Sequence, residues 1–116
     1  MKKTIKIGEK EYFMKASAYT QFAYKNETGR SFLKDIQKLT EITQEGQLGL
    51  EALDEVNDLV LKIAYVMVEE ADSKQAANYE EFLKGIDNLY DNQDWITDVI
   101  LLACSPISRQ LQENQQ

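Results

Sequence analysis

From residue 50 onward, apolar side chains recur at Leu53, Val56, Val60, Ile63 and Met67, a 3-4-3-4 spacing that puts them on one face of an α-helix. Between Leu59 and Val68 the apolar residues nearly surround the axis. That pattern predicts a helix over 50–71, ended by Asp72-Ser73, which is either the centre of a small bundle or half covered by a partner. Leu59, Tyr65 and Val66 on this helix are candidates for such a partner groove. The beginning of the chain has a different period. Thr4-Ile5-Lys6-Ile7 and Glu11-Tyr12-Phe13-Met14 alternate in twos around Gly8-Glu9, which predicts a hairpin over 3–14 with a type II′ turn. In that register Ile5 faces Tyr12 and Lys6 faces Glu11. A lone two-stranded hairpin is marginal in water, so this one must lie on helices or lend an edge to another chain.

Between these regions, Ser17 caps an expected helix over 17–28, in which Tyr19, Phe22 and Ala23 share a face and Gly29 supplies a left-handed end. Ser31 caps a second helix over 31–44, with Phe32, Ile36 and Leu39, and Leu33 beside them, as its buried stripe. Gly46 and Gly49 mark a loop. Asn78-Tyr79-Glu80-Glu81 reads as a capping box opening a helix over 79–89. A last helix is expected over 92–104, capped by Asp91 and closed at Ser105-Pro106 because the residue before proline is pushed out of the helical region. Gln110 to Gln116 offer almost nothing to bury and read as a flexible tail. The expected fold is mainly α with a small N-terminal β-hairpin, a compact bundle of four to five helices forming one domain over 1–109. At 116 residues and 13.4 kDa the chain has room for one modest core.

Charge changes the picture of what this domain can touch. The net charge of −7 is unevenly distributed: residues 1–38 hold nine Lys or Arg against four Asp or Glu, and the remainder holds four against sixteen. The acidic part repels phosphate backbones and the basic part is interleaved with carboxylates, so nucleic-acid binding is not expected. A basic partner protein or head-to-tail self-association of the unlike halves is compatible with this distribution. Leu59–Val68 is interrupted by Lys62 and is half the roughly 20 residues a membrane span needs. The N-terminal segment lacks the continuous apolar run of a signal peptide, which points to the cytoplasm. Cys104, the single cysteine, sits among Leu101, Leu102 and Ala103 and reads as an inert buried thiol.

Catalytic chemistry finds little to work with. The chain has no His, which removes the commonest general base and metal ligand, and it contains neither a Walker-type loop nor a G-x-G-x-x-G turn. Asp87, Asp91, Asp94 and Asp98 are spaced 4-3-4, yet as a calcium loop from Asp87 the segment has Leu89 at the third position, Asn92 in place of Gly and Asp98 in place of a bidentate Glu. These carboxylates, like Asp54, Glu55 and Asp58, therefore read as a solvated face, or as an anionic docking strip for a partner. Trp95, Tyr19, Phe22 and Tyr24 are either core or interface anchors. Trp95 and Phe22 favour the core, and Tyr24 sits on the flank of its helix. Lys25 and Arg30 read as solvated charges. No enzyme, cofactor or metal is expected.

The lysine-rich hairpin Lys2 to Lys15, followed by the aromatic helix and then Lys25, Glu27, Gly29, Ser31 and Phe32-Leu33, resembles the start of the tail assembly chaperones of long-tailed bacteriophages and prophages, especially those of Gram-positive hosts. The resemblance implies a small, non-catalytic factor of the host cytoplasm. Such a factor coats the tape measure protein, recruits tail tube subunits around it, and leaves before the virion is complete. It also implies that this chain corresponds to the shorter of two products where a frameshifted one is made. Two other classes fit the residues: an acidic regulatory or inhibitory protein-binding module, and a structural tail completion protein.

Overall fold

Gly8, at φ 64°, turns the chain between β1 (Lys2–Ile7) and β2 (Lys10–Lys15), while Glu9 keeps a negative φ, the combination a type II′ turn requires. The strands pair antiparallel with Ile5 opposite Tyr12 and Lys6 opposite Glu11, the register the alternation predicts. The computed structural model describes residues 1–44, 50–87 and 94–114. After the hairpin come α1 (Ala18–Thr28), α2 (Phe32–Gln44), α3 (Leu50–Ala71), α4 (Tyr79–Lys84) and α5 (Asp94–Asn114). The described residues thus form a mainly α fold with an N-terminal hairpin. Its radius of gyration, 13.8 Å, is that of a packed chain of this length, for which about 13.4 Å is expected.

The core is organised around α3. Val56, Val60, Ile63, Ala64, Met67 and Val68 are fully buried, and β2, α1, α2, α4 and α5 all pack on this helix. The all-round apolar segment is therefore the centre of the bundle and is covered by the chain's own elements. The hairpin lies on the helices through its inner face, Ile5, Ile7, Tyr12 and Met14, which is closed to solvent, with β1 against α5. Burying a large apolar side chain contributes roughly 1.5–3 kcal/mol, enough for four such residues to hold a hairpin that is marginal alone.

One edge of the hairpin is also closed. The side-chain amide of Gln75, just past α3, donates to the Phe13 carbonyl at 2.7 Å and accepts from the Phe13 N–H at 2.8 Å, as the backbone of a third strand would. Its Nε2 also reaches the Val68 carbonyl at 3.2 Å. Gln75→Ala is expected to cost about 1 kcal/mol and to speed exchange of the Phe13 amide, read by hydrogen-exchange NMR. An unchanged Phe13 rate would mean the amide bridge is not maintained in solution.

The caps form largely as predicted. Ser17 Oγ accepts from the Tyr19 N–H at 3.1 Å, Gly29 adopts φ 74° with its N–H on the Lys25 carbonyl, and Asn78 Oδ1 accepts from the Glu81 N–H at 2.9 Å. Three expectations need correction. α4 ends at Lys84 and not at residue 89, because the Gly85 N–H already bonds the Glu81 and Phe82 carbonyls at 3.2 Å and tightens the turn. α5 runs through Pro106 and on to Asn114, beyond the expected end at 104 and into the stretch 110–116 expected to be a flexible tail. Proline deprives the Leu102 carbonyl of its helical donor, and the Ser105 hydroxyl takes that place at 2.6 Å, so the helix continues. On α2, Phe32, Ile36 and Leu39 are buried as expected but Leu33 faces solvent. The Gly46/Gly49 loop and the Asp91 cap lie outside the described residues.

Candidate protein-binding surface

α1 is turned opposite to the expectation. Tyr19 is 57% exposed and Phe22 62%, while Thr20 and Tyr24 point inward. Polar anchoring explains the rotation. The Ser17 and Thr20 hydroxyls both donate to the Glu70 carboxylate of α3 at 2.8 Å, and the Ser17 N–H donates to Thr20 Oγ1 at 2.8 Å. α1 has no acidic residue in its first turn, so Glu70 brings the negative charge that its N-terminus favours. One helical turn on, the Tyr24 hydroxyl donates to Asp35 Oδ2 at 2.5 Å, and Arg30 closes a two-pronged pair on the same carboxylate, Nε to Oδ2 at 2.8 Å and Nη2 to Oδ1 at 3.0 Å. Ser17, Thr20 and Tyr24, held by Glu70 and by the Asp35–Arg30 pair, thus anchor the inner side, and Tyr19 and Phe22 are left outside while Ala23 packs on the core.

Asp35 is buried beside the start of α2. Burial by itself would raise its carboxyl, but the Arg30 fork and the Tyr24 hydroxyl outweigh that and hold it below the ordinary carboxylate range. Burial, reinforced by the Asp35 carboxylate, drives the Tyr24 phenol far up. Tyr24, a candidate interface residue, is instead a fully buried clasp between α1 and α2. Arg30, expected to be a solvated charge, is its third member.

The outward side of α1 is a ridge. The Tyr19 and Phe22 rings lie 6.1 Å apart, and Phe22 shares with Leu33, 50% exposed, a cleft of about 250 Å3 also lined by Gln21, Lys25, Ser31 and Phe32. On the other flank of the ridge, Tyr19, Ala23, Tyr65, Val66 and the carboxylates of Glu27, Glu69 and Glu70 line a second cleft of about 250 Å3. There Glu69 Oε1 is buried, and the Tyr65 phenol is pushed up to about 12, first by burial and then by a hydrogen bond to the Glu69 side chain. A protonated phenol beside the carboxylates of Glu27, Glu69 and Glu70 makes a cleft wall that favours hydrogen-bonding and cationic groups.

The remaining predicted site residues are dispersed. Leu59 and Trp95 are in the core, and Tyr65 and Val66 are mostly buried, both lining the acidic cleft, with Tyr65 also lining a smaller pocket beside Thr28, Lys62 and Tyr79. Trp95 at 2% exposure is core, the reading favoured for it. Asp94 is exposed, Asp98 is half-exposed and pairs with Lys3 at 3.5 Å, and Asp91 lies outside the described residues. The second acidic patch is likewise engaged: Glu55 pairs with Lys38, and Asp58 with Lys62 at 3.1 Å. Basic residues of the N-terminal part therefore neutralise carboxylates of the acidic part within the same chain, at Lys3–Asp98 and Lys38–Glu55. Among the described residues there is no group of three or more His, Cys, Asp or Glu that could hold a metal ion, and no helix long and apolar enough to cross a membrane. Cys104, expected to be buried, is half-buried, and what burial it has raises its thiol.

No family model, curated protein or solved structure matches this chain.

Proposed function

We propose that this chain is a non-catalytic tail assembly chaperone of a long-tailed bacteriophage or prophage, acting in the host cytoplasm by holding the tape measure protein and helping to recruit tail tube subunits. The observation that carries the reading is the ridge of Tyr19, Phe22 and Leu33, three large apolar side chains at least half exposed on adjacent helices. An apolar ridge between two clefts suits the apolar stripe of an amphipathic helix, laid down at i, i+3, i+4 and i+7. The carboxylates of Glu27, Glu69 and Glu70 then favour a partner whose stripe is bordered by Lys or Arg on that side. A chain with this net charge stays soluble while exposing such a ridge.

The test is co-expression of the tagged chain with the phage structural genes around its own, followed by mass spectrometry of what copurifies. A very long helical protein is expected with the wild type, and purified virions are expected to lack the chain. The double variant Tyr19→Ser/Phe22→Ser is expected to keep its far-UV circular dichroism and lose at least ten times as much of the partner, since exposed positions contribute little to folding. Retention by the variant would remove the ridge from the reading. Recovery of the chain from finished particles would replace the chaperone by a structural tail protein.

A further inference from the structure

The two edges of the hairpin are treated differently. Met1 and Ala16 exchange both backbone bonds, the Met1 amino group to the Ala16 carbonyl at 2.7 Å and the Ala16 N–H to the Met1 carbonyl at 2.8 Å. With the register, that fixes which pairs are hydrogen-bonded: the parity returns at Lys3–Met14, Ile5–Tyr12 and Ile7–Lys10. The N–H and C=O groups of Lys2, Thr4 and Lys6 therefore point away from β2, as those of Phe13 point away from β1. Phe13 meets the Gln75 amide. The sheet has two strands only, and among the described residues nothing bonds the outward groups of Lys2, Thr4 and Lys6.

Charge also bears on what this edge can accept. Lys3, Lys38, Lys62 and Lys84 each pair with a carboxylate of the chain. Lys2 and Lys6, exposed on the outer face of the hairpin, make no ion pair among the described residues; Lys2 stands directly opposite the half-buried Lys15, and Lys6 opposite Glu11. In a chain of net charge −7, the open edge of β1 thus carries two exposed lysines, Lys2 and Lys6.

We propose that β1 is a docking edge for an extended acidic segment of a partner protein, which adds to the sheet as a third strand with carboxylates at alternate positions facing Lys2 and Lys6. Backbone bonds to Lys2, Thr4 and Lys6 supply the pairing, and the lysines supply the selection. A second copy of this chain is the poorer occupant. Full antiparallel overlap of two β1 strands centred on Thr4 sets Lys2 against Lys6 of the other copy twice, and like charges directly opposite are destabilising. This edge is separate from the α1 ridge, so the two readings stand or fall apart.

The probe is a blocked, fluorescently labelled seven-residue peptide alternating glutamate and valine, titrated with the full chain by anisotropy, with a lysine–valine peptide as the counterpart. The acidic peptide is expected to bind more tightly at low salt, to slow exchange of the Thr4 and Lys6 amides, and to exceed the basic peptide by at least tenfold. Thr4→Pro removes an outward donor that the β1–β2 ladder does not use, and is expected to weaken binding about tenfold. Lys2→Glu/Lys6→Glu leaves the backbone intact and is expected to do the same, so it decides the matter with the amide rates should the proline variant not fold. Equal binding of the two peptides, or binding indifferent to the folded variants, would overturn the proposal. So would a dimer in sedimentation that protects the same amides without peptide, since the edge would then belong to a second copy.

Discussion

Asp35→Ala is expected to lower the free energy of unfolding by about 3 kcal/mol, a large share of the roughly 5–15 kcal/mol that holds a domain of this size. The loss has three sources. The buried Tyr24 hydroxyl, which donates to Asp35 at 2.5 Å, is left without an acceptor, at a cost of about 1–3 kcal/mol. The first turn of α2 loses its acidic residue, worth about 0.3–1 kcal/mol. Arg30 loses a two-pronged pair, but its side chain is half-exposed and water replaces much of what goes, so that part is small. Tyr24→Phe is accordingly expected to cost less, about 1 kcal/mol, because Arg30 still satisfies the carboxylate. Acid titration gives an independent reading. The Asp35 carboxyl is held below the ordinary range in the folded chain, so its contribution is complete above the unfolded value of about 3.9 and disappears as pH falls through the lower folded value. Urea midpoints of wild type and Asp35→Ala are therefore expected to differ most near neutral pH and to converge below about pH 4. A gap that stays constant from pH 7 to pH 3 would mean the carboxylate's charge is irrelevant to the clasp.

That clasp marks where the sequence stops being legible. Periodicity locates α3 and the hairpin register because each signal is local: a 3-4 spacing for one, alternation around Gly8 for the other. The caps at Ser17, Asn78 and Gly29 are local too. The orientation of α1 is not. Its apolar residues Tyr19, Phe22 and Ala23 share a face, and hydrophobicity alone sends that face inward. What sends Tyr19 and Phe22 outward is a set of polar contacts from distant positions, Glu70 to Ser17 and Thr20 some fifty residues away. No pattern within α1 records them. A weak signal existed in Tyr24-x5-Arg30-x4-Asp35 across the Gly29 break, where a phenol, a guanidinium and a carboxylate converge once the two helices fold back on each other. Likewise Pro106 ends a helix by local rule, and the hydroxyl that lets α5 continue is that of the preceding Ser105. The acidic strips looked free because their partners, Lys3 and Lys38, lie far away in sequence.

The same non-local logic fixes the second large effect. Phe82→Ala is expected to destabilise the chain by about 3–5 kcal/mol, the cost of deleting a buried aromatic ring and leaving its cavity. α4 has six residues, too few for a helix to persist alone. Caps at its two ends help, but its place in the fold depends on Phe82. That ring meets Tyr12 of β2 edge-on at 5.1 Å, Tyr65 of α3 at 5.7 Å and Tyr79 at 6.4 Å, so one side chain joins the hairpin, the central helix and α4. Without it Tyr12 loses its aromatic neighbour, and the apolar anchorage of the hairpin falls to Ile5, Ile7 and Met14. Leu83→Ala, at the adjoining and more exposed position, is expected to cost no more than about 1 kcal/mol. Urea unfolding followed by circular dichroism separates the two, and amide exchange shows where the loss falls. Faster exchange across β1 and β2 before global unfolding is expected for Phe82→Ala alone. A loss below about 1.5 kcal/mol, or protection unchanged in the hairpin, would mean that α4 rides on the surface and that the hairpin is held to α3 and α5 without it.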